Sequence, residues 1–341
     1  MAGGRDAHGR VRAARRHLLL HPLSPERAPV SQHAVEHERR GRLQADLALL
    51  LITAFWGVTF VVVKDALGHA DPFTFLALRF ATGALLLSLL AGRQVLQPQA
   101  LRAGGLLAVF LFLGFALQTV GLTSTTASRS AFITGLSVVG VPFVSLVFFR
   151  RVPRLPSLVG VVLAVAGLWA LTRPDAAGAG GGLTRGDLLT VGCAVAYAFH
   201  IAFTEKLAPK QGVMGMVAVQ LWGVALLSAL CVPLQPGGPR VEWTGSFVMG
   251  FLFCGVFASA VAISVQTWGQ ARTSAVRAAL IYSLEPVFAA AYSVLLGYER
   301  LGAREALGGG LIMLGVLVAE LGAHLLDRFR PGMGERREDA V

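Results

Sequence analysis

Four polar side chains fall on one face of an apolar segment that spans residues 187–204. They are Cys193, Tyr197, His200 and Thr204, and their spacing of i, i+4, i+7 and i+11 follows the period of an α-helix. Lipid penalises polar groups, so this face should look toward a cavity or a neighbouring helix. Two chemistries remain open for it, namely hydrogen bonding between packed helices and the lining of a substrate cavity.

Two glutamines form a second candidate pair. Gln118 opens the sequence QTVGLTSTTASR and Gln266 opens the related sequence QTWGQARTSAVR, 148 positions later. An amide can bind a polar substrate, but it can equally join two helices in a membrane for about 1 kcal/mol. Both interpretations stay open at this stage.

The glutamine pair belongs to an internal duplication. An offset of 141 likewise pairs Trp56 with Tyr197 and Thr59 with His200 near the start of each half. Duplicated halves built from apolar segments are the usual architecture of secondary transporters, which place their substrate site between the repeats. We therefore predict a cavity lined by Trp56, Thr59, Gln118, Tyr197, His200, Gln266 and Tyr282.

Two charged residues lie inside apolar segments. Arg79 could bind an anionic substrate, or it could pair with a carbonyl or lipid head group and fix the helix tilt. Glu285 precedes Pro286, where a helix break or kink is expected. Its carboxylate could cap that break, or it could couple transport to protons, because burial favours the neutral form of a carboxylate.

The composition predicts an all-α protein of the membrane. Apolar residues make up 55% of the 341 positions and charged residues 14%, well below the quarter usual in soluble domains. The net charge is +11, and the two ends hold nine and four of the 30 Lys and Arg residues, while the others are scattered, mostly in short loops. Basic ends of this kind are typical of cytoplasmic anchors at anionic lipid, so no nucleic-acid partner is expected.

The candidate residues lie within or near ten apolar stretches of the sequence. Each stretch is close to the length that a helix needs to cross a bilayer. Five stretches in each half would place the second half upside down relative to the first, as two inverted five-helix repeats. The stretches are 47–63, 72–91, 103–122, 128–149, 155–171, 187–204, 213–234, 246–268, 275–298 and 305–325.

The organisation that follows has five parts. They are a basic, disordered cytoplasmic segment at 1–44, a first repeat at 45–172, a Gly-rich linker at 173–186, a second repeat at 187–325 and a charged cytoplasmic tail at 326–341. The excess of Lys and Arg at both ends places both termini in the cytoplasm and the linker outside. The expected location is the cytoplasmic (inner) membrane.

Other features point to packing and not to chemistry. Gly160 and Gly167, like their counterparts Gly308 and Gly315, are spaced i, i+7 and predict close helix packing, with a homodimer as one possibility. The three cysteines show no metal-ligand spacing, so neither a disulfide, a metal nor another cofactor is expected. The spans contain no nucleophile-and-base set or aspartate pair, so the chain is not predicted to be an enzyme.

Several short motifs resemble those of EamA-type carriers of the drug/metabolite transporter superfamily. The motifs are Trp56-Gly57-Val58-Thr59-Phe60 with Lys64, Pro72-Phe73, Leu78-Arg79-Phe80, Ala131-Phe132-Ile133-Thr134-Gly135-Leu136 with Pro142, Leu284-Glu285-Pro286-Val287-Phe288, and Leu296-Gly297-Tyr298-Glu299-Arg300. The resemblance covers residues 45–325 and implies ten helices in two inverted repeats around a central cavity, with export of metabolites or amino acids. Arg150-Arg151 replaces the acidic residue usual near the end of the fourth span.

These observations predict a secondary carrier for a small organic metabolite, working outward by alternating access about a midplane site. The alternative is a membrane receptor or scaffold that transports nothing. Flux into vesicles without any partner protein would separate the two.

Overall fold

The computed structural model describes residues 32–150, 152, 155–172, 182–208, 212–235, 238–272, 278 and 281–329. Over these residues the chain is helical, with one isolated β-bridge between Ala70 and Val241. The helices are α1 (Gln32–Ala66), α2 (Pro72–Ala91), α3 (Pro98–Leu122), α4 (Ala127–Thr134), α5 (Leu136–Phe149), α6 (Leu155–Thr172), α7 (Arg185–Leu207), α8 (Val213–Cys231), α9 (Gly245–Phe253), α10 (Ala262–Gln270), α11 (Glu285–Leu295) and α12 (Ala303–Phe329).

Polar caps explain where several helices begin. Asp71 accepts hydrogen bonds from the backbone of Phe73 and Thr74 at the start of α2, where Pro72 occupies the first helical position. Thr184 and Asp187 form a reciprocal capping box at the start of α7. Such caps satisfy the free N–H groups of a first turn, so a few polar residues set the helix starts in an otherwise apolar chain.

Seven helical stretches of the described chain are long and apolar enough to cross a membrane. They run from Leu43–Ala66, Pro72–Leu96, Pro98–Leu122, Ala127–Phe149, Arg185–Leu207, Val213–Leu234 and Gly245–Gln270, and Leu155–Ala170 and Glu285–Leu295 are shorter apolar helices. The all-helical membrane architecture is therefore confirmed, while the total of ten spans stays a prediction. The expected linker at 173–186 and tail at 326–341 lie largely outside the described residues.

The helices differ from the expected stretches in several places. α1 begins at Gln32, inside the segment 1–44 that we expected to be disordered, because residues 32–40 contain no proline or glycine and continue the helical pattern. The fourth stretch is interrupted at Gly135, between α4 and α5. A π-helical segment, Cys254–Val261, joins α9 to α10. α11 begins at Glu285 after a turn at residues 283–284, which is the break that Pro286 predicts.

The glycines of α6 and α12 pack against each other within one chain. A Cβ added at Gly167 would lie 2.7 Å from the Gly308 carbonyl oxygen, and one added at Gly315 would lie 2.5 Å from that of Gly160. Numbering rises along α6 as it falls along α12, so the two helices run antiparallel. The close packing expected of these glycines therefore occurs within one protomer. A homodimer stays a prediction without support from them.

A second pair of contacts obeys the same duplication. In the first, a Cβ at Gly57 of α1 would lie 2.5 Å from the Phe288 Cβ of α11. In the second, a Cβ at Gly140 of α5 would lie 2.9 Å from the Ala198 Cβ of α7. The offsets of 141 and 148 convert one contact into the other. Equivalent helices of the two halves therefore cross in the same way.

Candidate functional site

A cavity opens between the helices of the two halves and contains about 690 Å³ of space free of protein atoms, its mouth included. Every residue that the sequence predicted for the site lines it: Trp56, Thr59, Gln118, Tyr197, His200, Gln266, Tyr282 and Glu285. The rest of the wall consists of Phe60, Leu111, Phe115, Thr134, Gly135, Ser137, Val138, Ile201 and Ile263. The structure thus brings the predicted residues together, and whether they bind substrate stays a prediction.

Most of the wall is built from equivalent positions of the two halves. The offsets of 141 and 148 relate seven pairs of lining residues: Trp56 and Tyr197, Thr59 and His200, Phe60 and Ile201, Phe115 and Ile263, Gln118 and Gln266, Thr134 and Tyr282, and Ser137 and Glu285. Each half contributes one member of every pair. The cavity therefore lies where the two halves meet.

Trp56 is fixed firmly in the wall. Its indole Nε1 donates to the Ala258 carbonyl at 3.0 Å, and its ring centroid lies 5.7 Å from that of Tyr282 at a tilted angle. Thr59 donates its hydroxyl to the Trp56 carbonyl one turn earlier at 2.7 Å. The π-helical segment accounts for the indole bond, because the Ala258 carbonyl that accepts it belongs to that segment.

Two of the predicted residues also join helices. His200 Nε2 lies 2.9 Å from Oε1 of Gln220 on α8, and Gln118 Nε2 donates to the Thr134 hydroxyl at 3.2 Å. The two readings left open for these polar residues are therefore both compatible with the structure. Gln266 differs, because its buried amide faces the cavity with no hydrogen bond to any described residue. Its polar atoms are available to a bound molecule.

Glu285 occupies the first position of α11 and points into the cavity. Among the described residues, neither a hydrogen bond nor an ion pair reaches its carboxylate, and no side chain caps the start of α11. The interpretation of Glu285 as a local cap therefore lacks the bond that it needs. A half-buried carboxylate without a partner is costly, so an occupant or a proton would stabilise it.

Arg79 is buried behind the wall, with 2% of its surface exposed. Its Nε donates to the Ser259 hydroxyl at 2.9 Å, and its guanidinium lies 4.6 Å from the centre of the Phe115 ring and 5.1 Å from that of Phe80. It is not among the described residues that line the cavity. Aromatic faces and a hydroxyl surround the guanidinium, whereas a carbonyl or a head group had been one of the expected partners.

Two polar wall residues were missed in the sequence. Thr134 and Ser137 sit at the positions equivalent to Tyr282 and Glu285, so applying the offset of 148 to those two residues would have found them. Conversely, Cys193 and Thr204, which share the polar face of α7, are buried away from the cavity. One face of a long helix contacts several neighbouring elements along its length. Only the middle of this face of α7, with Tyr197 and His200, lines the cavity.

A polar network joins the helices at the end of the bundle where α1 finishes and α4 and α7 begin. Arg129 Nη2 contacts Asp187 Oδ2 at 2.5 Å, and Asp187 Oδ1 accepts a hydrogen bond from Thr125. Lys64 donates to the carbonyl oxygens of Leu122 and Thr125. Glu299 accepts from the backbone of residues 127 and 128 at the start of α4. The network ties both halves together at this end.

Metal-ligating side chains do not cluster in the part of the chain that the structure describes. The wall offers aromatic faces, amides, hydroxyls, one imidazole and one carboxylate. Such a set can hold a small organic molecule by stacking and hydrogen bonds, and it contains no nucleophile activated by a base.

The chain is similar to known transporters over most of its length. A transporter of Archaeoglobus fulgidus described as uncharacterized is 33% identical over 82% of this chain and 87% of its own. An uncharacterized inner membrane transporter of Escherichia coli is 26% identical over 82% of this chain and 91% of its own. A probable amino-acid metabolite efflux pump of Salmonella typhimurium is 26% identical over 80% of this chain and 93% of its own.

Comparisons of fold and of family agree with these relatives. One solved crystal structure of a protein superposes on this chain with a TM-score of 0.63 and 22% sequence identity. The match covers 83% of this chain and 99% of the other. The sequence profile of the EamA-like transporter family matches twice, over residues 43–173 and 184–321. This multi-pass membrane protein belongs to the EamA-like transporter family, and it is a transporter and not an enzyme.

Proposed function

We propose that the protein is a secondary carrier that moves small organic metabolites out of the cell by alternating access around the central cavity. The observation that carries this proposal is the pairing of the wall. Seven pairs of equivalent residues, one member from each half, surround a single space. A site shared equally by two repeats can be opened to either side when one repeat rocks against the other.

The inverted relation between the repeats is part of this proposal. Its support is the reciprocal contact of α6 with α12, in which Gly167 meets Gly308 and Gly315 meets Gly160. A contact that maps onto itself when the halves are exchanged is the mark of a two-fold axis. The antiparallel course of the two helices supports an axis that crosses them, as the proposed inverted repeats require.

The polar network supplies a structural basis for the two access states. It joins α4 of the first half to α7 of the second through Arg129 and Asp187. With both termini in the cytoplasm, this end of the bundle faces outward. We propose that the network closes the outer end in the state described here and breaks when the cavity opens outward.

The substrate class is proposed from a relative and from the wall. The Salmonella typhimurium relative is described as a probable amino-acid metabolite efflux pump. The wall of the cavity contains amides and hydroxyls, which can form hydrogen bonds with a small metabolite. We propose small amino-acid-related or drug-like metabolites as the substrates.

Flux through the purified protein in proteoliposomes tests the proposal. Vesicles loaded with a mixture of labelled amines and amino acids should release at least one compound faster than empty vesicles do. The Gln266→Ala variant should lower this release, because it alters the wall without removing a bond between described residues. Absence of flux for every compound, together with tight binding of a partner protein, would favour the receptor or scaffold instead.

A further inference from the structure

We propose that the cavity selects organic amines, as their ammonium cations, when these carry an aromatic or apolar body and no carboxylate. Glu285 is the ion partner in this proposal, and the aromatic wall holds the body. The inference names the substrate class of the cavity and so rests on the function proposed above. It separates amines from the amino-acid metabolites in the name of the Salmonella typhimurium relative.

The charge of the wall is the first step. Among the described residues that line the cavity, Glu285 carries the one carboxylate, and neither lysine nor arginine is present. His200 is held by Gln220 at 2.9 Å through Nε2. A cavity with one acidic group and no fixed cation attracts a cation and repels a carboxylate or phosphate, and the effect is strong away from bulk water.

Arg79 packs against the wall from outside the cavity. The guanidinium of Arg79 lies against the ring of Phe115, and Phe115 itself forms the wall. Arg79 Nε is engaged by Ser259, while Nη2 has no hydrogen-bond partner among the described residues. Arg79 is not among the described residues that line the cavity. Arg79 therefore does not provide an anion site facing the ligand.

The aromatic side chains complete a site for an ammonium group. Trp56 and Tyr282 have ring centroids 5.7 Å apart, and Phe115 and Tyr197 meet edge to face at 5.5 Å. Cations bind to the faces of such rings. The Tyr282 hydroxyl is buried, lines the same cavity as Glu285 and has no hydrogen-bond partner among the described residues. It can accept an N–H bond from the ammonium while Glu285 takes another.

The asymmetry of the pairs places the cation on one side of the cavity. Six of the seven pairs combine uncharged residues or an uncharged residue with His200, and the seventh sets Ser137 of the first half against Glu285 of the second. The Ser137 hydroxyl offers a polar contact without charge. An amine should thus bind with its ammonium toward α11 and its body toward the helices of the first half.

Three small molecules that share a phenylethyl skeleton and differ in charge test this proposal. 2-Phenylethylamine is a cation, 3-phenylpropionate is an anion and phenylalanine carries both charges, so their binding to the purified protein in nanodiscs isolates the effect of charge. Calorimetry should show the amine bound at least about tenfold more tightly than either of the others. A tenfold ratio corresponds to about 1.4 kcal/mol.

Variants then assign the selectivity to its residue. Glu285→Gln should weaken amine binding at least about tenfold and leave 3-phenylpropionate within about twofold. The matched control is Glu242→Gln, because Glu242 is an exposed carboxylate 3.6 Å from His69 and outside the cavity. It should bind the amine like the parent. Melting temperatures of both variants show whether each is folded.

Two outcomes overturn the proposal. The first is that the amine fails to bind, or binds no better than 3-phenylpropionate or phenylalanine. The second is that Glu285→Gln retains amine affinity. If the amine binds as expected but is not transported in proteoliposomes, the selectivity stands and the carrier function fails, so the two failures can be told apart.

Discussion

Arg129 of the first half and Asp187 of the second half form a buried ion pair, with Nη2 and Oδ2 2.5 Å apart. Asp187 is fully buried and serves two further roles, since it accepts from Thr125 and closes the capping box with Thr184. Arg129 also donates to the carbonyl of Gly182 at 3.0 Å. One carboxylate therefore organises the start of α7 and the junction between the halves.

Asp187→Asn should destabilise the protein strongly. Removing one partner of a buried pair leaves the other charge uncompensated, at a cost of about 3–5 kcal/mol. The variant should melt at a clearly lower temperature in detergent, whereas Glu242→Gln, which alters an exposed contact with His69, should melt like the parent. If Asp187→Asn melts like the parent, Arg129 is compensated elsewhere and the network is not what closes this end.

The glycines at the contact of α6 and α12 should tolerate no side chain. Gly315→Ala would place a Cβ 2.5 Å from the Gly160 carbonyl oxygen and 2.8 Å from the Ala164 nitrogen, so the helices must separate. We expect a loss of about 1–3 kcal/mol in unfolding free energy, the usual range for overpacking. Gly310→Ala on the same helix is the matched control, because nothing lies within 4 Å of its added Cβ. Equal melting of the two variants would contradict the packing described.

The two glutamines of the cavity should differ in their effects. Gln118→Ala removes a hydrogen bond to Thr134 and should lower both flux and stability, the latter by about 1 kcal/mol. Gln266→Ala removes no bond between described residues and should lower flux per molecule at nearly unchanged melting temperature. Transport assays normalised to folded protein measure both. Flux at the parent level in both variants would leave the amides with a structural role alone.

The orientation in the membrane is open to a direct test. Both termini should be cytoplasmic, and the Gly-rich linker at 173–186 should lie outside, because the basic residues concentrate at the two ends. A reporter that fluoresces only in the cytoplasm should be bright when fused after Val341 and dark when inserted at Gly181. Fluorescence from the insertion at Gly181 would reverse the assignment and place the Arg129–Asp187 network inside.

The site could be predicted from the sequence because duplication constrains it twice. A polar residue such as Gln118 is ambiguous alone, but its counterpart Gln266 at a fixed offset implies a symmetric environment, and both line the cavity. Helical spacing alone is less reliable, because Cys193 and Thr204 share the face of Tyr197 on α7 and do not line the cavity. Helical spacing shows on which side of a helix a residue lies. It does not show at which positions along the helix a neighbouring helix covers that side.

The backbone irregularities could be predicted only where proline marks them. Pro286 predicts a break in the helix, and the structure has this break immediately before α11 begins at Glu285. Pro142 instead lies inside α5, and the interruption comes seven residues earlier, at Gly135. The π-helical segment Cys254–Val261 has no such signal, because it depends on packing against α2, where the Arg79 carbonyl meets Gly255. Contacts between distant segments decide such features.

Glu285 remains the residue whose role an experiment can divide most sharply. It faces the cavity without a described partner, together with the titratable side chains of Tyr197, His200 and Tyr282 on the same wall. Cys193 lies buried behind them, with its sulfur 4.0 Å from the Thr134 hydroxyl. Because no described residue compensates the Glu285 carboxylate, we expect a proton and an amine to compete for it.

Glu285→Gln should also weaken amine binding, so its effect on the driving force is measured at saturating amine concentrations. The amide keeps the shape of the neutral acid but cannot titrate, so flux driven by a pH gradient should fall at least about tenfold. Passive exchange of a neutral solute through the same cavity should persist, because it requires no proton. The alternative is that the carboxylate only stabilises the start of α11. The amide would then lower the melting temperature, because it lacks the charge that strengthens such hydrogen bonds, and the folded protein would still respond to the gradient.

Flux per folded molecule at two pH values, measured beside a melting curve, distinguishes these cases. Gradient-driven flux equal to that of the parent would end the proton-coupling role and leave Glu285 with cation recognition alone.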